Sequence, residues 1–569
     1  MMKKVTRRTI CLLLAIALLS SSLLVGCVKA PDSTEPESTA TDAAQPQATE
    51  QVAIDPMAKY DPAITITSFF EIAGPFIPFF SEDRVKTNIW STEYMNTLGI
   101  NVDYQWYANE TADDSVQKKN VAIASGEIPD IMIVSKEQLV LLEKSDLINK
   151  DLGLIFDQYA SEALKSWCYA EGDDAMNSAT FGGQLLAIPL IQGSFDLADV
   201  LWLRQDWVDK LGMTLPTTMD ELHTLLLAFK NNDPDGNGAN DTTGLIINND
   251  FFTAPSSADA LGLFNGFDAY PRSWIDDGSG NLVYGSIQPQ MKDALSFLAT
   301  LYSEGLIEND FAVKDFQKTS ETPVSGKGGI QYGANWNSIW PLQGAIDNNP
   351  NAVWTPIAIP SATGNAVKAQ TRLNIDEYFV VSKKCEHPEA LFKLLNFYVE
   401  KFTTGSAEEY AKYLVNDTGA ETFDLHGTMF KMYPPLRNLE AYANVQKALE
   451  TKDSTSLNAE DLNYYNSVVA FMNGDLTQAG GAKVFGPGGS EGVLTMYYEN
   501  DLFLRDKFFG APTTTMGQKM QLIKDKEMEY FTKVIMGEDS VDNFDQFVAD
   551  LNALGLDQIT IEVNEWNNR

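Results

Sequence analysis

The chain has 569 residues and a formal charge of -37. So acidic a body repels a phosphate backbone, which needs a basic footprint; nucleic acid is excluded as a partner, and neutral ligands fit the charge best. Three histidines without metal-ligand spacing and four cysteines make neither a histidine metal centre nor a disulfide framework.

At the amino terminus KKVTRR precedes the apolar run CLLLAIALLSSSLLVG, the pattern of an export signal too short to be a stable membrane span. The run ends at Leu24-Val25-Gly26-Cys27, which resembles the bacterial lipobox. That resemblance implies cleavage after residue 26 and a lipidated Cys27, with two or more acyl chains (palmitate among them) anchoring the mature protein; a plain secretory signal is the alternative. Residues 27–56 are rich in Pro, Ser, Thr, Ala and Glu without apolar periodicity, and read as a flexible tether.

Some five hundred residues follow, enough for at least two lobes. ITITSFF from Ile64 alternates as a strand with one covered face, and Val85, Ile89 and Leu98 mark a helical face that stops at Gly99. INVDYQWY alternates again, DSVQKKNVAIASG is helical with Gly126 as its stop, and PDIMIVS is a compact buried strand. This β-α-β-α-β order predicts a mostly parallel sheet flanked by helices, with ligands at the carboxyl ends of its strands. Cys168 and Cys385, the two cysteines left after the leader and Cys27, form either one bridge or two buried thiols.

The segment from Pro216 opens a helix through a capping box of Thr218 and Glu221, with Leu222, Leu225, Leu226 and Phe229 on one face. It runs into KNNDPDGNGANDTTG. In a 12-residue calcium loop, oxygen ligands stand at positions 1, 3, 5, 7, 9 and 12 with Gly at 6. Asp233, Asp235, Asn237, Ala239 (through its carbonyl) and Asp241 occupy the first five, and Gly238 the sixth. Position 12 is Gly244, so another segment supplies that ligand or the site is weak. A structural calcium ion is expected; a solvated Asp/Asn/Gly turn is the alternative.

The order of several segments resembles family 1 extracellular solute-binding proteins, the sugar receptors of bacterial importers: GEIPDIMIVS, FGGQLLAIPL, VLWLRQDWVDKLGM, PTTMDELHTLLLAFKNNDPDGNG, LNIDEYFVVSKKCEHPEALFKLLNFYVE and the closing EMEYFTKVIMGEDSVDNFDQFVADLNALG. Each motif is loose, and their shared order carries the match along nearly the whole exported chain. The resemblance implies an α/β, two-lobed periplasmic-binding-protein fold of type II character. One lobe would comprise residues 57–195 and 357–440, the other 196–356 and 441–569. It also implies a calcium in the Asp-rich loop, as in the larger oligosaccharide-type members.

A sugar presents apolar ring faces and hydroxyl edges, so its site needs aromatic faces beside carboxylates, amides and guanidinium groups. Asn335, Trp336, Asn337 and Trp340 form the densest such group; Trp202 and Arg204 lie in the proposed crossing strand, Phe70 and Glu71 end the first strand, and Ser135 and Lys136 follow PDIMIV. Asp376, Glu377 and Tyr378 sit where the chain returns between lobes, and Asp376 and Tyr378 are the expected contacts. Core packing is the alternative for every tryptophan and for Tyr378, and pairing with Asp206 for Arg204. GGSEG at 488–492 matches a nucleophile-elbow expression, but KVFGPG before it supplies no strand.

The expected function is capture of an oligosaccharide by a lipid-anchored, monomeric receptor on the outer face of the cytoplasmic membrane. The ligand would be handed to an importer of two permease subunits and a cytosolic ATPase, partners that the resemblance implies. The chain is then no enzyme. The rivals are a tethered glycoside hydrolase or lyase using an unseen carboxylate pair and a non-transporting polysaccharide adhesin.

Overall fold

The alternating segment from Ile64 forms the strand Ile64–Ile72, paired in parallel with Ile100–Asn109. The structure, a computed structural model, describes residues 54–72, 81–109, 114–252, 256–403, 406–413 and 427–568. The leader, Cys27 and most of the tether lie outside the described residues.

The crossover between these strands is made of short helical pieces, Glu82–Lys86, Ile89–Glu93 and Tyr94–Leu98, rather than one helix. It stops at Gly99 as expected: φ is 67°, and a Cβ there would strike the Tyr60 carbonyl. Helix Asp114–Ser125 and strand Ile131–Ser135 complete β-α-β-α-β. The returning strand Glu377–Val381 then inserts antiparallel between Ile131–Ser135 and Ile188–Pro189. The first lobe is therefore mixed: only Ile64–Ile72 and Ile100–Asn109 pair in parallel, while Ile131–Ser135 pairs with the chain re-entering from the other lobe in the opposite sense. Ile66, Phe69, Trp90, Tyr94, Ile133, Phe379 and Phe397 are among its core residues.

The second lobe is built on Trp354–Ile357, Val200–Arg204, Gly328–Gly333 and Thr243–Ile246 in that order, with Ser257–Asp259 beside Gly328–Gly333. Only the Gly328–Gly333 and Thr243–Ile246 pair is parallel among these strands. Every residue of Val200–Arg204 and Gly328–Gly333 is buried, because helices cover both faces. Trp207 packs so close that a Cβ on Gly329 would lie 2.6 Å from its ring.

The chain passes from one core to the other between Ile191 and Ala198, between Ala369 and Leu373, and between Met432 and Leu439, and Ala459 on a later helix packs back against the first core. The second crossing lies later than the expected boundary at 357. Ile359, Val367 and Ala369 still belong to the second core, held there because Ala369–Thr371 pairs with Phe503–Arg505. The crossings are tied to one another. The Asn374 side-chain amide donates to the Gly193 carbonyl at 2.9 Å, and its backbone N–H donates to Ser194 Oγ at 3.1 Å. Asn438 donates to Asp196 Oδ2 at 3.0 Å.

Cys168 and Cys385 are separate buried thiols, and burial pushes each up to about 12. A thiol so placed is neither exposed nor ionised at neutral pH. The folded protein should therefore leave both unmodified by an aromatic disulfide reagent for hours, with two equivalents released only in denaturant. Rapid release from the native protein would contradict the placement.

Candidate functional site

Between the two cores, at the crossings, lies a cleft of about 770 Å³. The first lobe contributes Phe70 and Glu71, at the end of a strand whose register shifts between Ser68 and Phe70. The second contributes Asn335 and Trp336 from the single 3-10 turn Asn335–Ser338. The crossings add Gln192, Asp196, Asn374, Lys431, Tyr433, Arg437 and Asn438, and the helices beyond add Tyr464 and Phe485.

On the first-lobe wall Lys119 is 4% exposed and ties two carboxylates, Glu71 at 2.9 Å and Glu377 at 3.2 Å. Ser115 donates to Glu71 as well. Burial raises the Glu377 carboxyl; Lys119 pulls it down, Glu71 pushes it up and Lys431 pulls it down. The wall is thus a nearly balanced charge set held rigid by one ammonium.

At the crossings burial pushes the Asp196 carboxyl up to about 6, against the Asn438 amide and the Arg437 charge, which lower it. Glu491 lies fully buried behind Asn335, whose amide donates to it. Burial, and then Asp196, hold that carboxyl well above its usual range. Arg437 donates through Nε to Glu460 at 2.9 Å and through Nη2 to Tyr464 Oη at 3.2 Å. The Tyr464 and Phe485 rings stack with centroids 3.8 Å apart. The cleft therefore offers aromatic faces from both sides with amides and carboxylates between them, the donor and acceptor pattern that suits a polyol with apolar ring faces.

Of the residues expected from sequence, Phe70, Glu71, Asn335 and Trp336 meet here. The others have different tasks. Trp202 is fully buried and its Nε1 donates to the Ala334 carbonyl at 3.0 Å. Arg204 grips Asp206 through Nε at 2.8 Å and lies 4.5 Å over the Trp207 ring. Asn337 is buried, accepting from Gln331 at 2.9 Å and donating to the Ser256 carbonyl at 3.1 Å. Ser135 caps the helix Lys136–Glu143 in a capping box with Gln138, and Lys136 donates to the Phe509 carbonyl at 3.0 Å. Trp340 is 40% exposed against Phe316, outside the cleft lining. Asp376 pairs with Arg372 at 3.0 Å, and Tyr378 is buried with its hydroxyl on Ser178. Between them Glu377, passed over in favour of its neighbours, reaches the cleft, because successive strand residues face opposite sides.

In the Asp-rich loop Asp233 accepts from the backbone N–H of Gly236, Asn237 and Gly238 at 2.9 to 3.0 Å. The Asn237 amide lies between Asp235 Oδ2 at 2.7 Å and Asp241 Oδ1 at 3.0 Å. Asp235 is pushed up by burial and by Asp233. Among the described residues no three His, Cys, Asp or Glu side chains converge as a metal site. The loop's donors are all oxygen, as calcium requires, once Asn237 turns its amide oxygen inward.

Residues 84–401 match the family model for bacterial extracellular solute-binding proteins. Lipoprotein LipO of Bacillus subtilis is 28% identical over 237 residues, 41% of this chain and 44% of LipO. The polygalacturonan/rhamnogalacturonan-binding protein YtcQ of the same organism is 25% identical over 238 residues, 41% of this chain and 44% of YtcQ. The fructooligosaccharide ABC transporter substrate-binding protein FusA of Streptococcus pneumoniae is 27% identical over 259 residues, 42% of this chain and 45% of FusA. The matches thus span less than half the length of these curated relatives. Solved as a complex with kestose, FusA has the same fold: the TM-score is 0.57 at 16% identity, covering 89% of this chain and 99% of that one. A further FusA structure is of an EF-hand mutant bound to fructo-nystose.

Proposed function

Because this chain belongs to the family of bacterial extracellular solute-binding proteins, we propose that it captures an oligosaccharide between its two lobes and delivers it to an ATP-driven importer. The observation that carries the reading is the pairing across one cleft of Trp336 with Phe70, with Asn335, Glu71, Glu377 and Asp196 at the polar edges. FusA, a fructooligosaccharide receptor by name, supports the ligand class and the route.

In this reading Trp336 supplies a face for a sugar ring, and the amides and carboxylates take its hydroxyls. A ligand that touches both walls favours the closed arrangement by its differential affinity alone. Three bonded crossings restrict the motion to a hinge. The importer's permease pair would read the closed lobes, and a lipid on Cys27 would hold the receptor near it, as the lipobox resemblance and the name of LipO suggest.

A thermal-shift titration with oligosaccharides, followed by chromatography of the sugar, tests this. Saturation at 100 times the dissociation constant stabilises a native-state binder by ~2.7 kcal/mol. A shift with the sugar recovered unchanged is expected. Shortened sugar would replace the receptor with a hydrolase or lyase, and stabilisation by long polymers alone would favour an adhesin.

We assign calcium to the Asp-rich loop on the same footing, held by Asp233, Asp235, Asn237, Asp241 and the Ala239 carbonyl. Its task is structural: it would screen the neighbouring carboxylates of Asp233 and Asp235 and join the end of helix Met219–Asn231 to strand Thr243–Ile246. Millimolar calcium should raise the unfolding midpoint over that in EDTA, and Asp235→Ala should abolish the difference. Equal midpoints in calcium and EDTA would leave the loop a solvated turn.

A further inference from the structure

We infer that the cleft selects uncharged glycans and rejects uronates, a claim that rests on the oligosaccharide reading above and adds the chemical class of the sugar. Lys119 is committed to Glu71 and Glu377, and Arg437 to Glu460. Lys431, with Arg437 one of the two cations of the lining, lowers the Glu377 carboxyl. Lys119 and Arg437 thus already have carboxylates to neutralise. The stretches 73–80 and 414–426, which flank Phe70 and Thr428 in sequence, contain neither lysine nor arginine.

The acceptors are in surplus. Asn335 Oδ1 is buried without a hydrogen-bond donor, since the amide's N–H side is turned to Glu491. Asp196 and Glu71 face the same cleft. A hydroxyl brings a donor and satisfies such a wall. A carboxylate brings only acceptors and a like charge, and loses hydration without a guanidinium fork to replace it, the group that planar carboxylate recognition ordinarily uses. YtcQ, named for acidic polymers, is then a relative in fold with a different ligand charge.

The test is calorimetric titration of the purified protein at ~0.15 M salt, where the Debye length is about 8 Å, and again at lower salt, with calcium fixed. The probes are length-matched neutral oligosaccharides (fructo-, galacto-, manno- and xylo-) and oligogalacturonate. At least one neutral probe should bind ten-fold or more tighter than the uronate, and lower salt should weaken uronate binding further. Asp196→Asn, close in shape to the native side chain, should narrow the gap while its unfolding midpoint stays at or above that of the wild type. Oligogalacturonate binding as tightly as the neutral probes, or tightening as salt falls, would overturn the charge argument and leave the receptor reading intact. No binding by any probe at millimolar concentration would overturn the oligosaccharide reading and this inference with it.

Discussion

Trp336→Ala should weaken oligosaccharide binding by ~30-fold or more, the loss of ~2 kcal/mol typical of a dominant aromatic contact, while leaving the unfolding midpoint of the free protein within a few degrees. Trp202→Ala should do the reverse. Its side chain is fully buried in the second core and hydrogen-bonded to Ala334, so truncation leaves a cavity and an orphaned carbonyl, at a cost of ~3–5 kcal/mol. The two substitutions separate a face that meets ligand from a face that meets protein. Urea unfolding and calorimetry on both variants check the pair; a Trp336 variant with unchanged affinity would remove the central platform.

Lys119→Met should destabilise the protein by ~3 kcal/mol at pH 7. Removing one partner from a buried ion pair leaves the other charge uncompensated, at ~3–5 kcal/mol, and the lower end applies because Glu377 is 37% exposed although Glu71 is only 8% exposed. The pH dependence has a definite sign. The Glu377 carboxyl is already raised by burial, and without Lys119 its folded pKa rises further. A raised folded pKa means that the unfolded chain loses the proton first, so stability falls as pH climbs from the ordinary carboxylate value, about 4.3, through the folded one. The variant's deficit should therefore be largest at neutral pH and shrink toward pH 4. Glu71→Gln in the same background should restore part of it, which a double-mutant cycle measures. A deficit that is flat with pH, or unmoved by Glu71→Gln, would contradict the charge account.

Much of the first lobe was legible because its signals are local. Alternation from Ile64, the stop at Gly99 and the stop at Gly126 each depend on a few neighbouring residues, and each appears in the fold. The antiparallel strand Glu377–Val381 was not legible as such, since its sense depends on a chain returning from the other lobe. Phe70, Glu71, Asn335 and Trp336 were reachable as aromatic and amide residues at the ends of strands or in an aperiodic segment. Tyr464 and Phe485 were not: they stand on helices whose composition does not say which wall lies opposite. Asp196 and Arg437 sit on crossings whose function is a matter of tertiary position.

Two of the residues that lie away from the cleft had local signs. Ser135 with Gln138 three residues on is a capping box, the same signal that correctly opened the helix at Thr218. Arg204 followed by Asp206 offered a short-range partner, and that pairing is the one formed. The choice of Asp376 and Tyr378 over Glu377 had no such sign, because a one-residue change of face cannot be read without the sheet's register.

The most direct measurement is hydrogen exchange with and without the oligosaccharide that gives the largest thermal shift. Capture between lobes predicts slowed exchange on both walls at once, in peptides containing Phe70–Glu71 and Asn335–Trp336, together with the crossings near Gly193 and Asn374. Protection confined to one lobe, or found away from the cleft, would contradict it.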